Sequence, residues 1–359
     1  MTDTSNQISE IEKEIRETPY HKGTEHHIGK LRARLARLKD RELERGSKKG
    51  GGGGGGYAVK KQGDATVVLI GPPSAGKSTL LNALTNAESK VAPYAFTTVS
   101  VIPGMMLYNA AYIQILDIPG LIEGAKEGKG RGREVLSVAR EADLLLMMTD
   151  VERMQKIESM AAELEGAGIR INKVPPQVLV DKKPGGGLLI HTNIKQNLDK
   201  ETIKEVASEF GVKNGDITIK EKLTMETLVD AFSTSRVYTP ALFVINKVDT
   251  KRNYHILIYD NQIGISAESG LGLEKLKERI WETLKLIKVY LVRPDDKPNL
   301  ENPIIMREGQ LLKDVAKSIG SEFAEGKKLA KIWGPGAHYP GQEVSLTLPL
   351  KEGMQIRFI

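Results

Sequence analysis

Gly71-Pro72-Pro73-Ser74-Ala75-Gly76-Lys77-Ser78 satisfies the G-x-x-x-x-G-K-S/T pattern of a phosphate loop. The apolar run Thr66–Ile70 precedes it, and a helical pattern over Lys77–Ala87 follows. A strand that ends in a glycine-rich turn and opens a helix is a ready anion site. Its backbone N–H groups point inward, and the helix dipole adds favourable charge. The octapeptide therefore predicts an α/β fold and a nucleoside triphosphate. Gly71, Ser74, Ala75, Gly76, Lys77, Ser78 and the adjoining Thr79 are its candidate phosphate-binding residues. Lys77 is expected to reach the β- and γ-phosphates, and Ser78 to give its hydroxyl to Mg2+.

Three further motifs follow in order. Asp117-Ile118-Pro119-Gly120 ends an apolar run. Asp117 is expected to hold Mg2+ through water, and Gly120 to offer its N–H to the γ-phosphate. Asn246-Lys247-Val248-Asp249 follows the run Ala241–Ile245. The Asp249 carboxylate matches the N1–H and amino donors of guanine. Beside adenine it would stay unpaired at a cost of about several kcal/mol, so an ATPase is disfavoured. Lys247 is expected to cover the base, and Asn246 to tie this loop to the phosphate loop. Ser266-Ala267 is expected to present backbone N–H groups to guanine O6. Between the first two motifs, Thr97 and Thr98 are adjacent candidates for binding Mg2+ and the γ-phosphate, and Thr98 is favoured. Lys77, Thr98 and Gly120 are the candidate catalytic groups. Leu121 and Ile122 stand where many small GTPases carry a water-orienting glutamine. Slow intrinsic turnover is expected. Ser74 occupies the loop position where some GTPases carry an asparagine for K+, which makes K+ a second candidate ion.

Outward from these motifs, the strand and helix patterns alternate. Val101–Tyr108 and Tyr112–Leu116 read as a strand pair, and Leu144–Thr149 as a buried strand before a helix over Val151–Gly166. Leu273–Ile287 reads as an amphipathic helix. A mostly parallel sheet covered on both faces is expected. Roughly 70 residues then separate helix 151–166 from the strand before Asn246, too long and too patterned for a loop. They hold strand patterns at Gln177–Val180, Leu188–Thr192 and Ile217–Lys220, the first two read as a hairpin through Lys182 and Lys183. Helices at Asp199–Phe210 and Thr224–Phe232 complete a small α+β domain inserted at 168–236. The core GTP-binding domain is then 61–167 with 237–287, and a small mixed domain occupies 288–359. Residues 1–60 comprise a helical hairpin and Gly50–Gly56. The hairpin is marked by Ile8, Ile11, Ile15 and by Leu31, Leu35, Leu38. The seven glycines suit a linker or a tightly packed segment.

The chain has 359 residues, enough for several domains, and its 40% apolar content is enough for real cores. Absence of cysteine excludes disulfides and thiolate metal sites. No apolar run approaches a membrane span, so a cytoplasmic protein without a membrane segment is expected, acting as a monomer. The net charge is +6, unevenly spread: nine Lys or Arg face three acids between Lys30 and Lys49. That excess suits a polyanion such as RNA, and a solvated helix face equally. Trp333 reads as a core residue of the terminal domain rather than an RNA-stacking platform. His21, His26, His27 and His338 read as surface residues.

The chain resembles the developmentally regulated GTP-binding protein family, archaeal branch, within the wider Obg-type translation-factor GTPases. The marks are Gly50–Gly56, Gly63-Asp64-Ala65, Phe96-Thr97-Thr98 with Pro103-Gly104, and Asp117 through Ala125. Pro72 and Ala75 stand where relatives often have Phe and Val, and neither change removes a phosphate ligand. Nothing resembles the glycine-rich amino-terminal domain of bacterial Obg. The resemblance implies an inserted domain like a ribosomal-protein fold and a C-terminal ubiquitin-like (β-grasp) TGS domain at 288–359. It also implies GTP hydrolysis to GDP and phosphate as a switch in translation, coupled to ribosome or RNA binding. Eukaryotic members have a stabilising partner protein. The competing expectation is a scaffold for RNA or protein, stabilised by nucleotide with negligible turnover.

Overall fold

The computed structural model describes residues 2–48, 63–85, 92–93, 100–118, 131–250 and 262–359. Thr98, Gly120, Leu121 and the run Gly50–Gly56 lie outside these residues. The chain forms two compact units, residues 1–57 with 163–239 and residues 58–162 with 240–359.

The helices α1 (Thr2–Glu17) and α2 (Glu25–Lys48) come first. They precede β1 (Ala65–Ile70), α3 (Lys77–Leu84), β2 (Ala92–Pro93), β3 (Ser100–Tyr108) and β4 (Ala111–Asp117). Next are α4 (Arg131–Glu141), β5 (Leu144–Asp150) and α5 (Lys156–Gly166). Then come β6 (Ile169–Ile171), β7 (Val178–Lys182), β8 (Leu188–Thr192), α6 (Lys200–Glu209), β9 (Gly215–Ile219), α7 (Met225–Phe232) and β10 (Val237–Thr239). After β11 (Ala241–Asn246), β12 (Gln262–Gly264) and α8 (Leu273–Thr283), the chain enters its last stretch. This holds β13 (Leu286–Leu291), β14 (Pro303–Arg307), α9 (Leu312–Ile319), α10 (Ser321–Glu325), β15 (Leu329–Trp333), β16 (Gln342–Ser345) and β17 (Gln355–Phe358).

In the unit that carries the phosphate loop, seven strands run in the order β12-β11-β5-β1-β4-β3-β2. The five from β12 to β4 are mutually parallel, and β3 and β2 add an antiparallel edge. Every residue of β1 and β5 is buried, as continuous apolar runs in a two-faced parallel sheet require. The first strand is flanked by β4 and β5, so successive crossovers leave it on opposite sides. Ligands of open α/β sheets bind beyond the strand carboxyl ends at such a reversal.

The terminal sheet of the same unit runs β14-β13-β17-β15-β16, with β13 and β17 parallel and the other pairs antiparallel. Its core joins Val289, Ile332, Met354 and Ile356 to Leu312 and Val315 of α9. This mixed sheet crossed by a helix is the ubiquitin-like form expected at the C-terminus. The Trp333 ring is half-buried, with the Arg357 guanidinium 5.3 Å above it.

In the other unit, Ile8, Ile11 and Ile15 of α1 pack on Leu31, Leu35 and Leu38 of α2, the seam the spacing predicts. The opposite side of α2 gives Ala33 and Ala36 to a second core, with Val206 of α6, Ile217 of β9 and Leu228 of α7. A Cβ on Gly29 would lie 3.1 Å from Met225 Cε, so glycine permits this close approach. Two carboxylates anchor the packing. Asp40 accepts from Ser233 Oγ at 2.7 Å and from Ser235 Oγ. Asp230 accepts from Arg170 Nη2 at 2.7 Å and Arg236 Nε at 2.7 Å.

Four expectations are corrected. The first helix of the phosphate-loop unit ends at Leu84 rather than Ala87, where Thr85 leaves helical geometry and its Oγ1 donates to Leu81 O at 2.7 Å. The helix after β5 begins at Lys156, not Val151, because residues 151–155 form turns. The helix expected to reach Ile287 stops at Thr283; Lys285 adopts φ 52° and Leu286 already belongs to the terminal sheet. Finally, β7 and β8 are not a hairpin. The alternating strand β9 lies between them, antiparallel to β7 and parallel to β8.

The basic stretch of α2 is partly committed within its own unit. Lys30 Nζ lies 3.0 Å from Glu205, Arg37 donates to Glu209 O at 2.8 Å, and Lys39 lies 2.8 Å from Glu12. Arg34 and Arg41 are exposed.

Candidate functional site

The sequence-predicted residues converge at the carboxyl edge of the parallel sheet. Gly71 follows β1, Asp117 ends β4, Asn246 ends β11, and Ser266 follows β12. Gly76 takes φ 94°, and a Cβ there would stand 2.2 Å from Asn246 Nδ2. Glycine is required both for the backbone conformation and for that approach.

Lys77 is buried at the start of α3, its Nζ donating to Gly71 O at 3.0 Å and Pro72 O at 3.1 Å. Burial holds its ammonium below the ordinary lysine range; Asp117 opposes that effect and Arg153 adds to it. Ser78 Oγ donates to Asp117 Oδ2 at 2.7 Å. The other carboxylate oxygen, Asp117 Oδ1, is buried with no hydrogen-bond partner among the described residues. An unpartnered buried carboxylate oxygen beside a hydroxyl suits a hard divalent cation or its water.

The segment Asn246–Asp249 is joined to the phosphate loop. Asn246 Nδ2 donates to Ala75 O at 2.9 Å, and Asn246 Oδ1 accepts from the Ala267 N–H at 2.9 Å. Lys247 takes φ 61° and donates to Ser74 O at 3.0 Å. Asp249 sits on a short 3-10 turn, Val248–Thr250, where its Oδ2 accepts from Ser266 Oγ at 2.9 Å. The Ser266 N–H donates to Leu271 O at 2.9 Å. The amides of Ser266 and Ala267 are thus engaged within the protein, a difference from the expectation that both face guanine O6. Thr79 is exposed beside Ser78.

Two functional candidates escaped the sequence reading. Asp150, buried at the end of β5, accepts from Arg153 Nη2 at 2.6 Å and lies 3.6 Å from Lys247 Nζ. Arg153 Nη1 donates to Pro73 O at 3.0 Å. Hydrogen bonding to Arg153 holds the Asp150 carboxyl below its ordinary range. The available signal was an acid ending a central parallel strand with an arginine three residues on.

The model of the 50S ribosome-binding GTPase family matches residues 66–182, and that of the C-terminal region of MMR_HSR1 domain matches 185–286. The TGS domain model matches 287–359. Among curated proteins, a GTP-binding protein of the archaeon Methanocaldococcus jannaschii is 42% identical, covering 97% of this chain and 90% of that protein. One from Halobacterium salinarum is 41% identical over 98% of both chains. Developmentally-regulated GTP-binding protein 2 of Homo sapiens is 38% identical, covering 95% of this chain and 94% of that protein. P-loop GTPases bind their nucleotide with Mg2+, and the Ser78–Asp117 pair offers it suitable oxygen donors. With phosphate-loop and guanine motifs joined in one site and similarity along nearly the whole chain, the protein is a P-loop GTPase and belongs to the developmentally regulated GTP-binding protein family, shared by archaea and eukaryotes.

Proposed function

We propose that this GTPase is a switch in translation or ribosome function, hydrolysing GTP to GDP and phosphate while bound to ribosome or RNA. The observation that carries the nucleotide reading is the double use of Asn246, which holds Ala75 O through Nδ2 and the Ala267 amide through Oδ1. Phosphate and base recognition thereby share one residue. Asp249 reads guanine, Ser266 and Ala267 lie against the base, and Gly71 and Ser74–Thr79 cradle the phosphates. Lys77 carries charge to the β- and γ-phosphates. Ser78 and Asp117 hold Mg2+, which supplies electrostatic stabilisation of the phosphates when bound. Thr98 and Gly120 complete the γ-phosphate side, as the sequence motifs imply. K+ beside Ser74 is part of the proposal.

The ribosome or RNA as partner is supported by the family whose model matches residues 66–182 and by exposed Arg34 and Arg41 on α2. An archaeal branch is supported by the slightly higher identity of the archaeal relatives. A stabilising partner protein follows the resemblance alone. Action as a cytoplasmic monomer is part of the proposal, and no helix among the described residues is long and apolar enough to cross a membrane. The proposed functional division is 1–60, 61–167 with 237–287, 168–236, and 288–359.

The test is GTP turnover with and without ribosomes, each in potassium and in sodium buffer. Stimulation by ribosomes is expected, and stimulation by potassium if Ser74 supports the ion. Turnover that stays negligible in all four conditions would replace the switch with a nucleotide-stabilised scaffold.

A further inference from the structure

Every carbonyl from Gly71 to Ala75 accepts a side-chain hydrogen bond. Lys77 takes those of Gly71 and Pro72, Arg153 that of Pro73, Lys247 that of Ser74, and Asn246 that of Ala75. A trans peptide is planar, and its C=O and N–H point in opposite directions. Fixing the carbonyls of residues 73, 74 and 75 therefore fixes the direction of the amides of Ser74, Ala75 and Gly76. Asn246 and Lys247 belong to the guanine motif. Arg153 belongs to no motif and comes from the turn after β5.

We propose that Arg153 is a positioning residue for nucleotide binding: it holds the Pro73 carbonyl outward, so that the Ser74 amide is presented to the β-phosphate. The proposal rests on the guanine-nucleotide reading of this site. Arg153 is built for the task at both ends. Its backbone N–H donates to Asp150 O at 3.1 Å, and its carbonyl accepts from Thr149 Oγ1 at 2.9 Å. Its Nε lies 3.2 Å from each Asp150 oxygen and its Nη2 2.6 Å from Oδ2, which leaves Nη1 aimed at Pro73 O. The same carboxylate lies 3.6 Å from Lys247 Nζ, the donor to Ser74 O. One buried acid thus orients two cations onto consecutive carbonyls of the loop. The residue between those carbonyls, Ser74, takes φ 60°, a conformation that a non-glycine residue keeps only when its surroundings enforce it.

An ion pair that merely closes a turn would affect folding and leave phosphate recognition alone. The two roles separate by ligand, because GMP carries no β-phosphate. The experiment uses the full chain as wild type, Arg153→Gln and Arg153→Lys. It measures affinity for GDP and for GMP, the rate of GDP release, and the thermal midpoint without nucleotide. Arg153→Gln is expected to weaken GDP binding about tenfold and to change GMP binding less than about twofold, the loss expected for one charge-assisted hydrogen bond. Faster release should account for the GDP loss. Lysine offers a point charge without a fork, so it cannot hold Asp150 and Pro73 O together and should recover only part of the loss. If the glutamine variant fails to fold, the lysine variant carries the same comparison. Equal weakening of GDP and GMP, unchanged GDP affinity, or complete rescue by lysine would each overturn the proposal. Failure of the wild type to prefer GDP over ADP would instead overturn the underlying guanine reading.

Discussion

Ser78 Oγ stands 2.7 Å from Asp117 Oδ2, so the first turn of α3 and the carboxyl end of β4 meet through a hydroxyl and a carboxylate. Both atoms can turn to Mg2+. Chelation by EDTA should speed GDP release from the wild type by at least about tenfold, since the ion offsets phosphate charge. Asp117→Asn should release GDP at one rate with or without EDTA. An EDTA effect retained in full by that variant would remove Asp117 from the metal site.

Asp249 is held by Ser266 Oγ but remains exposed on its 3-10 turn, with acceptor capacity to spare. Asp249→Asn should lower the preference for GTP over XTP by at least about a hundredfold, because an amide presents a donor where guanine also presents one. Competition binding with GTP, XTP and ATP measures this. A preserved ratio would place base recognition elsewhere.

The Arg153–Asp150 pair should also appear in the pH dependence of stability. The Asp150 carboxyl is held below its ordinary value of 3.8 by Arg153, which favours the ionised form in the folded state. The resulting stabilisation is present above that value and is lost as pH falls through the lower folded value. The thermal midpoint of the wild type should therefore exceed that of Asp150→Asn at neutral pH, and the gap should close in acid. A gap independent of pH would show that charge is not the source.

Buried Asp230 accepts from both Arg170 and Arg236. Asp230→Ala would leave the Arg170 guanidinium without its acid and Arg236 with only Asp40, 3.5 Å away. It should cost about 3 kcal/mol, read by denaturant unfolding. A loss below about 1 kcal/mol would mean that solvent replaces the carboxylate.

The basic face of α2 separates into two kinds of residue. Lys30 and Arg37 bind Glu205 and Glu209 O, whereas Arg34 and Arg41 point outward. Arg34→Gln with Arg41→Gln should weaken ribosome or rRNA binding and flatten its salt dependence by about one unit for each phosphate no longer neutralised. GTP affinity and thermal midpoint should hold. The pair Lys30→Gln with Arg37→Gln should instead lower the midpoint. Unaltered binding in the first variant would assign Arg34 and Arg41 to a solvated face.

The sequence made the nucleotide edge legible because its residues are constrained chemically as well as structurally. The octapeptide 71–78, Asp117 and Asn246–Asp249 each need particular groups at fixed spacing, and the fold brings them to one edge of the parallel sheet. Arg153 was hidden because the stretch from Val151 reads as helix by periodicity, whereas hydrogen bonds to Asp150 and Pro73 keep its first five residues in turns. The end of α8 differs from the periodicity for a related reason: Leu286 and Ile287 continue the apolar pattern but are buried as the first residues of a strand. Strand pairing in the inserted segment was beyond local reading. Lys182 through Gly187 look like a hairpin turn, and only the packing of β9 between its neighbours decides otherwise.

Both units of this protein are discontinuous, and for the unit that carries α2 this orders its birth. Helix α2 is complete by Lys48, yet the serines that bond Asp40 lie 193 and 195 residues further along the chain. A ribosome making this protein therefore releases Ala33, Ala36 and Asp40 long before their partners exist. Nearly half of the other unit is synthesised in the interval. The hairpin must wait with a small-residue face uncovered until that chain has been made, and docking it then carries the entropy cost of closing a long loop.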